Sequence, residues 1–256
     1  MSSIPSPNSE TIVSTTPPHL PSVLVAVCTF NEVANLPELT RRVFDAVPDC
    51  HLLIIDDESP DGTAAWVEAK MQTEPRLRLL RRSGPRGLGG AIRAAFQYAV
   101  NHSYLYLLNL DGDLSHDPAM LPVMLQIAKS RSDIDVVVGS RYLPDGNVQG
   151  WPLHRRVMSR LVNQFATTVL RLPVSDCSGS FRCYRVSALA AIDPSTIRSN
   201  SFAVLEEVLV KLRLINAKMV EVPIRFSDRQ LGTSKLTAGE AARSIWQLLR
   251  VAIRRR

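Results

Sequence analysis

From residue 23 onward, short apolar runs of strand length alternate with longer segments of helical period, which confines the chain to a sheet joined by crossover helices. VLVAVC (23–28), HLLIID (51–56), RLRLLR (76–81), YLYLLNL (104–110) and IDVVVG (134–139) read as strands. The stretches 36–47, 63–73, 88–101 and 118–130 read as helices. The first half is therefore expected to be an α/β, mostly parallel, doubly wound sheet with helices on both faces. Such sheets bind ligands in the crevice beyond the carboxyl ends of their strands. After Gly139 the pattern predicts a long loop, an amphipathic helix over 155–172, an apolar helix over 203–215 and a strand over 218–226. With 256 residues and 45% hydrophobic content, one domain can bury a sizeable core.

The net charge of +6 favours anionic partners. No DNA- or RNA-binding motif is present, which argues against nucleic acid and leaves phosphorylated substrates and membrane surfaces. Cys28, Cys50, Cys177 and Cys183 form no C-x-x-C pair and lack zinc-site spacing, so a reducing, cytoplasmic setting fits best. Residues 1–21 are rich in Ser, Thr and Pro and read as a disordered tail, without the basic start or apolar centre of a signal peptide. No run is long and apolar enough for a membrane span, so membrane contact is expected to be peripheral.

Polar residues gather where the strands end. Asp111 and Asp113 flank Gly112 after the fourth strand, and two carboxylates one residue apart on a turn can reach a hard cation such as Mg²⁺ or Mn²⁺. A D-x-D triplet alone is as well explained by a solvated turn. Asp57, ending the second strand, would face the same crevice and could accept hydrogen bonds from a base or ribose. Ser59 and Asp61 are read as turn formers. The glycines of 84–90 open a helix and could offer N–H groups to a phosphate, but the first strand-to-helix turn holds no glycine, which speaks against a nicotinamide enzyme. Arg141, Arg155, Arg156, Arg160, Arg229 and Lys235 supply cations that pair with phosphate. For Arg156 and Arg160 a merely solvated helix face explains the charge equally well.

Taken in order, TFNEVANLPEL, LLIIDDESPDGT, GLGGAIRAAF, LNLDGDLSHDP, VVGSRYLPDG, SDCSGSFRCYR and EVPIRFSDRQLGTSKL resemble the dolichol-phosphate (polyprenyl-phosphate) mannosyltransferase family. These are inverting glycosyltransferases of the GT-A fold, and the likeness covers residues 23–236. The resemblance implies transfer of mannose from GDP-mannose to a dolichyl or polyprenyl phosphate, with Mg²⁺ or Mn²⁺. It implies that Cys28, Phe30, Glu32, Ile55 and Asp57 contact the nucleoside. Asp111 and Asp113 would carry the metal and the diphosphate, with the Gly112 backbone close to the nucleotide. Arg229 and Lys235 would close over the diphosphate, while Arg141, Arg155 and Ser159 would receive the lipid phosphate, Arg141 also contacting the nucleotide sugar. The chain departs from the family at Cys28 and Phe30, where Pro and Tyr are usual, at Gly112 in place of Ala, and at Glu58 in place of Gly.

Residues 22–236 are thus expected to form the catalytic domain. In 237–256, Ile245, Leu248, Leu249, Ala252 and Ile253 follow the spacing of one helical face with arginines opposite, which suits a basic interfacial helix or a helix docked on the domain. A separate membrane subunit is a further partner the resemblance allows. A UDP-sugar donor, a different acceptor, or a non-catalytic nucleotide-binding subunit are the alternative functions.

Overall fold

A computed structural model describes residues 22–228. Arg229, Lys235, the tail 1–21 and the segment 237–256 lie outside the described residues.

The chain runs β1 (Val23–Thr29), α1 (Leu36–Ala46), β2 (Cys50–Asp56), α2 (Thr63–Met71), β3 (Leu77–Arg81), α3 (Leu88–Asn101) and β4 (Tyr106–Asp111). It continues through α4 (Leu121–Ser130), β5 (Val136–Ser140), β6 (Asn147–Gln149), α5 (Leu153–Leu170), β7 (Arg182–Arg185), α6 (Val186–Ala191), α7 (Val204–Leu214), β8 (Met219–Pro223) and β9 (Arg225–Ser227). Seven strands form one sheet in the order β3-β2-β1-β4-β7-β5-β8, and β6 pairs with β9 in a small second sheet.

Alternate residues of the central strands feed opposite faces, as a period of two requires. Leu24, Ala26, Leu53 and Ile55 pack with Ala95 and Phe96 of α3 and Leu209 of α7. Val25, Val27, Leu52 and Ile54 pack with Leu39 and Val43 of α1 and Met124 of α4. Both faces are therefore dry, which is why these strands read as continuous apolar runs rather than as alternation.

The sequence pattern missed β7, which lies antiparallel between β4 and β5 in the middle of the sheet. Its sequence, RCYR, is half charged and does not read as a core strand. Arg182 is nevertheless fully buried, because its guanidinium donates to the carbonyls of Leu205 at 2.7 Å and Cys177 at 2.6 Å. The expected strand over 218–226 is divided in two. Pro223 ends the β5–β8 ladder on the sheet edge, and Ile224 bridges the two sheets, donating to Ser140 O and accepting from Asn147 N–H, both at 3.0 Å.

Phe96 is fully buried and meets Tyr184 of β7 edge-on, with ring centroids 5.1 Å apart. Phe96→Ala is expected to cost about 3–5 kcal/mol of unfolding free energy, read as a lower urea midpoint with an unchanged denaturant slope.

Candidate active site

The parallel register brings three strand ends level. Cys28 stands opposite Ile55 of β2 on one side and Asp111 of β4 on the other, and Thr29 stands opposite Asp56. The turns after β1 and β2 are laced together by short polar side chains. Asp56 accepts from Ser59 N–H at 3.0 Å and Ser59 Oγ at 2.5 Å. Asp61 accepts from Val33 N–H at 3.0 Å and from Thr63 Oγ at 2.6 Å. Ser59 and Asp61 thus form the turn, as read from the sequence.

At the ends of β1 and β2, Phe30 lies beneath the guanidinium of Arg86, 4.7 Å from its ring centroid. Asp57 is buried, paired through Oδ1 with Arg82, and accepts the Gly87 N–H on Oδ2 at 3.0 Å. Glu32 is turned inward, its carboxylate accepting from Asn35 Nδ2 at 2.8 Å. Ile55 is fully buried in the core. Burial, together with the charges of Asp111 and Asp57, pushes the Cys28 thiol up, so it stays neutral.

The glycines at the start of α3 do not form the open phosphate cradle that their spacing allowed. Gly87 N–H is taken by Asp57, and Gly89 N–H donates to Asn200 O at 3.1 Å. A Cβ on Gly89 would stand 1.8 Å from Ser199 O, so this glycine serves close packing.

Asp111 and Asp113 sit on the turn that ends β4. Asp111 Oδ1 accepts from Ser180 Oγ at 2.6 Å, and its side chain remains 40% exposed. Asp113 is buried and accepts from Ser115 N–H at 3.1 Å. Beneath them, His116 stacks on Phe181 with centroids 4.9 Å apart and meets Phe226 edge-on. Burial lowers its pKa against the pull of Asp111, so the ring is neutral. Its Nδ1 accepts the Asp111 N–H at 3.4 Å, which places the proton on Nε2. Among the described residues no three His, Cys, Asp or Glu side chains could hold a metal by themselves. Two carboxylates completed by substrate phosphates are the set that Mg²⁺ and Mn²⁺ accept, and the outward Asp111 beside Asp113 fits it. A Cβ on Gly112 would meet Thr29, Glu32 and Val27 side-chain carbons at 3.3–3.4 Å, so the alanine of the resembled family would need only a slight shift.

Farther along the edge, Arg141 is locked rather than free. Its Nε and Nη2 donate to the two Asp176 oxygens at 2.7 and 2.8 Å, and both side chains are buried. Burial would lower the Arg141 pKa, but Asp176 outweighs it and pushes it up. Burial would likewise raise Asp176, but the charge and hydrogen bonds of Arg141 bring it below the ordinary carboxylate value. Ser159 of α5 pairs with Tyr142 OH at 2.8 Å. Arg155 lies over the Trp151 ring at 4.0 Å, with Asp228 at 3.7 Å. Ser227 N–H donates to Ser115 O at 3.0 Å, so the described chain ends beside the Asp113 turn, one residue before Arg229.

Residues 24–193 match the pattern of Glycosyl transferase family 2. The chain belongs to this family. An undecaprenyl-phosphate mannosyltransferase of Micrococcus luteus is 34% identical over 228 residues, 89% of this chain and 93% of its own. A polyprenol monophosphomannose synthase of Mycolicibacterium smegmatis is 34% identical over 91% of this chain and 88% of its own. Among solved structures, glucosyl-3-phosphoglycerate synthase of Mycobacterium tuberculosis with Mn²⁺, UDP and phosphoglyceric acid aligns with a TM-score of 0.67 at 15% identity, covering 91% of this chain and 78% of that one. A mannosyltransferase of Pyrobaculum calidifontis with GDP-mannose and Mn²⁺ aligns at 0.62 and 18% identity, covering 93% and 66%. Family membership and fold make the chain a glycosyltransferase of the GT-A type.

Four residues at this glycosyltransferase edge escaped the sequence reading as individuals: Arg82, Arg86, Asp176 and Ser180. The stretch SDCSGSFRCYR contains two of them, but nothing in its spacing announces that Asp176 reaches Arg141 across 35 positions. Removing Asp176 leaves a buried guanidinium unpaired. Asp176→Ala is expected to lose about 3–5 kcal/mol of stability at neutral pH. The wild-type advantage is present above the unfolded Asp value of about 4 and disappears as pH falls through the lower folded value. Urea titrations of both proteins at neutral and acidic pH measure the gap and its closing.

Proposed function

We propose that the chain transfers a mannosyl residue from GDP-mannose to a dolichyl or polyprenyl phosphate, inverting the anomeric carbon. The observation that carries this reading is the likeness, across about nine-tenths of the chain, to two relatives whose names specify a polyprenyl acceptor and mannose. The exposed Asp111 carboxylate beside buried Asp113, at an edge built from the ends of β1, β2 and β4, supports it. The domain is taken as residues 22–236.

In this reading Cys28, Phe30, Glu32 and Asp57 border the nucleoside. Ile55 sets the height of the strand end from within the core. Asp111 and Asp113 would hold Mg²⁺ or Mn²⁺ together with the donor diphosphate, with Gly112 keeping the backbone close. The cation, when bound, neutralises charge on the departing GDP. Arg229 and Lys235 add positive charge to the same diphosphate. Arg141, Arg155 and Ser159 receive the acceptor phosphate, Arg141 with its orientation already set by Asp176. A phosphate monoester has a second pKa of about 6 and is largely ionised at neutral pH, so its oxygen attacks without a general base. Catalysis then comes from alignment and from charge stabilisation. The protein works peripherally on the cytoplasmic face of a membrane, alone or with a separate membrane subunit.

Transfer of labelled mannose from GDP-mannose to a short polyprenyl phosphate, with Mg²⁺ or Mn²⁺ and with EDTA, tests the reading beside parallel UDP-sugar donors. Metal-dependent label in the lipid phase is expected from GDP-mannose. Asp113→Ala is expected to lower the rate by about a hundredfold or more. Label from a UDP-sugar alone would move the donor assignment, and near-normal turnover by Asp113→Ala would remove the metal assignment.

A further inference from the structure

Glu221 of β8 shares a sheet face with Met219, which packs in the core with Leu170 and Val174. A carboxylate at such a position costs stability unless hydrogen-bond donors meet it. Three do, and all belong to two adjacent residues of the loop before β7. Glu221 Oε2 accepts from Ser175 N–H at 2.8 Å, while Oε1 accepts from Ser175 Oγ at 2.8 Å and from Asp176 N–H at 3.1 Å. Asn163 of α5 takes the next amide, its Oδ1 accepting from Cys177 N–H at 2.9 Å.

Two branches run from this loop to the edge that carries Arg141 and Ser159. In the first, Asp176 Oδ2 accepts from the Arg141 backbone N–H at 3.1 Å and from its Nε at 2.7 Å, and Oδ1 accepts from Nη2 at 2.8 Å. The backbone and the guanidinium of Arg141 are thus both tied to a residue whose own N–H is tied to Glu221. In the second, Ser175 gives its single hydroxyl proton to Glu221, so its Oγ accepts from Ser140 Oγ, 2.9 Å away. Ser140 Oγ in turn accepts from Tyr142 N–H at 3.3 Å, and the Tyr142 hydroxyl pairs with Ser159 Oγ at 2.8 Å. The Glu221 carboxylate is the terminal acceptor of both branches.

We infer that Glu221 is a positioning residue for the acceptor phosphate, acting through residues 175–176 on Arg141 and on the Tyr142–Ser159 pair. The inference rests on the assignment of Arg141 and Ser159 to that phosphate. Groups held in place before the ligand arrives leave little ordering to be done on binding, so loosening them weakens the ligand they face. The donor side has separate supports: Asp57 is held by Arg82 and Gly87, and Asp111 by Ser180. Changing Glu221 therefore acts on the acceptor and spares the donor.

The full chain is titrated in a calorimeter with a short-chain polyprenyl phosphate, and separately with GDP-mannose and Mg²⁺. Glu221→Gln keeps the size of the side chain but turns an NH₂ group toward one of the donors, and should weaken polyprenyl phosphate about tenfold. GDP-mannose should bind as to wild type, and in transfer assays the acceptor KM should rise while the donor KM stays. Ser175→Ala keeps both loop amides on Glu221 and removes only the hydroxyl branch, so it should weaken the acceptor by a smaller factor, about threefold. It decides the matter should Glu221→Gln not fold. Equal weakening of both ligands would mark Glu221 as general support of the fold and overturn the inference, as would unchanged acceptor binding in the two variants. A wild type that binds no polyprenyl phosphate overturns the acceptor assignment and this inference with it. A wild type that binds the acceptor without transferring mannose sinks the transfer reading alone, and the two calorimetric titrations still judge Glu221.

Discussion

The in-register parallel pairing of β1 with β2 and β4 is the constraint from which the rest of the molecule follows. It puts Cys28 between Ile55 and Asp111 and makes three strands end at one height. Because helices cover both faces of this sheet, almost any side chain within a strand must be apolar, and polar chemistry is admitted only where strands stop. Thr29, Asp56, Asp57 and Asp111 occupy that position. A one-residue slip of β4 against β1 would move Asp111 out of line with Cys28 and exchange the two faces of the strand, so the fold and the site are specified by the same hydrophobic pattern.

That shared origin explains what was legible beforehand. The strands β1 to β5, the four helices between them and the carboxylates at their ends announce themselves, because a two-sided dry sheet writes apolar runs that stop abruptly at polar residues. The second half was harder. β7 is central yet half charged, and only the Leu205 and Cys177 carbonyls, distant in sequence, make a buried Arg182 tolerable. Arg141 was visible as a cation after a strand, but its bidentate bond to Asp176 was not. Local pattern encodes local periodicity and strand ends; it does not encode which buried charge meets which partner across the core. The glycines of α3 show the same limit. Their spacing allows phosphate binding as well as close packing, and only the approach of Ser199 and Asn200 decides for packing.

The buried charges divide the edge into parts of different stiffness. Asp57 is held by Arg82 and Gly87, and Arg141 by Asp176, so both are oriented by the protein before any ligand arrives. Asp111 is anchored through one oxygen and open to solvent on its other side. Pre-set groups suit positioning, where little ordering remains to be done on binding, and an open carboxylate suits coordination of a cation that arrives with its substrate.

The departures from the resembled family bear on the same point, because they alter chemistry while sparing shape. Glu58 stands where that family has glycine, and its φ of 54° is the left-handed conformation glycine favours. A non-glycine residue there costs about 1–2 kcal/mol. The turn persists because Asp56, Ser59, Asp61 and Thr63 fix the backbone around it. Glu58 itself is exposed, so its carboxylate is solvated. Phe30 lacks a tyrosine hydroxyl, and Arg86 lies over the face of its ring and donates to Glu58 O at 3.3 Å. This edge therefore differs from the resembled family in side-chain hydrogen-bonding groups and charge, on a backbone whose geometry the neighbouring turns preserve.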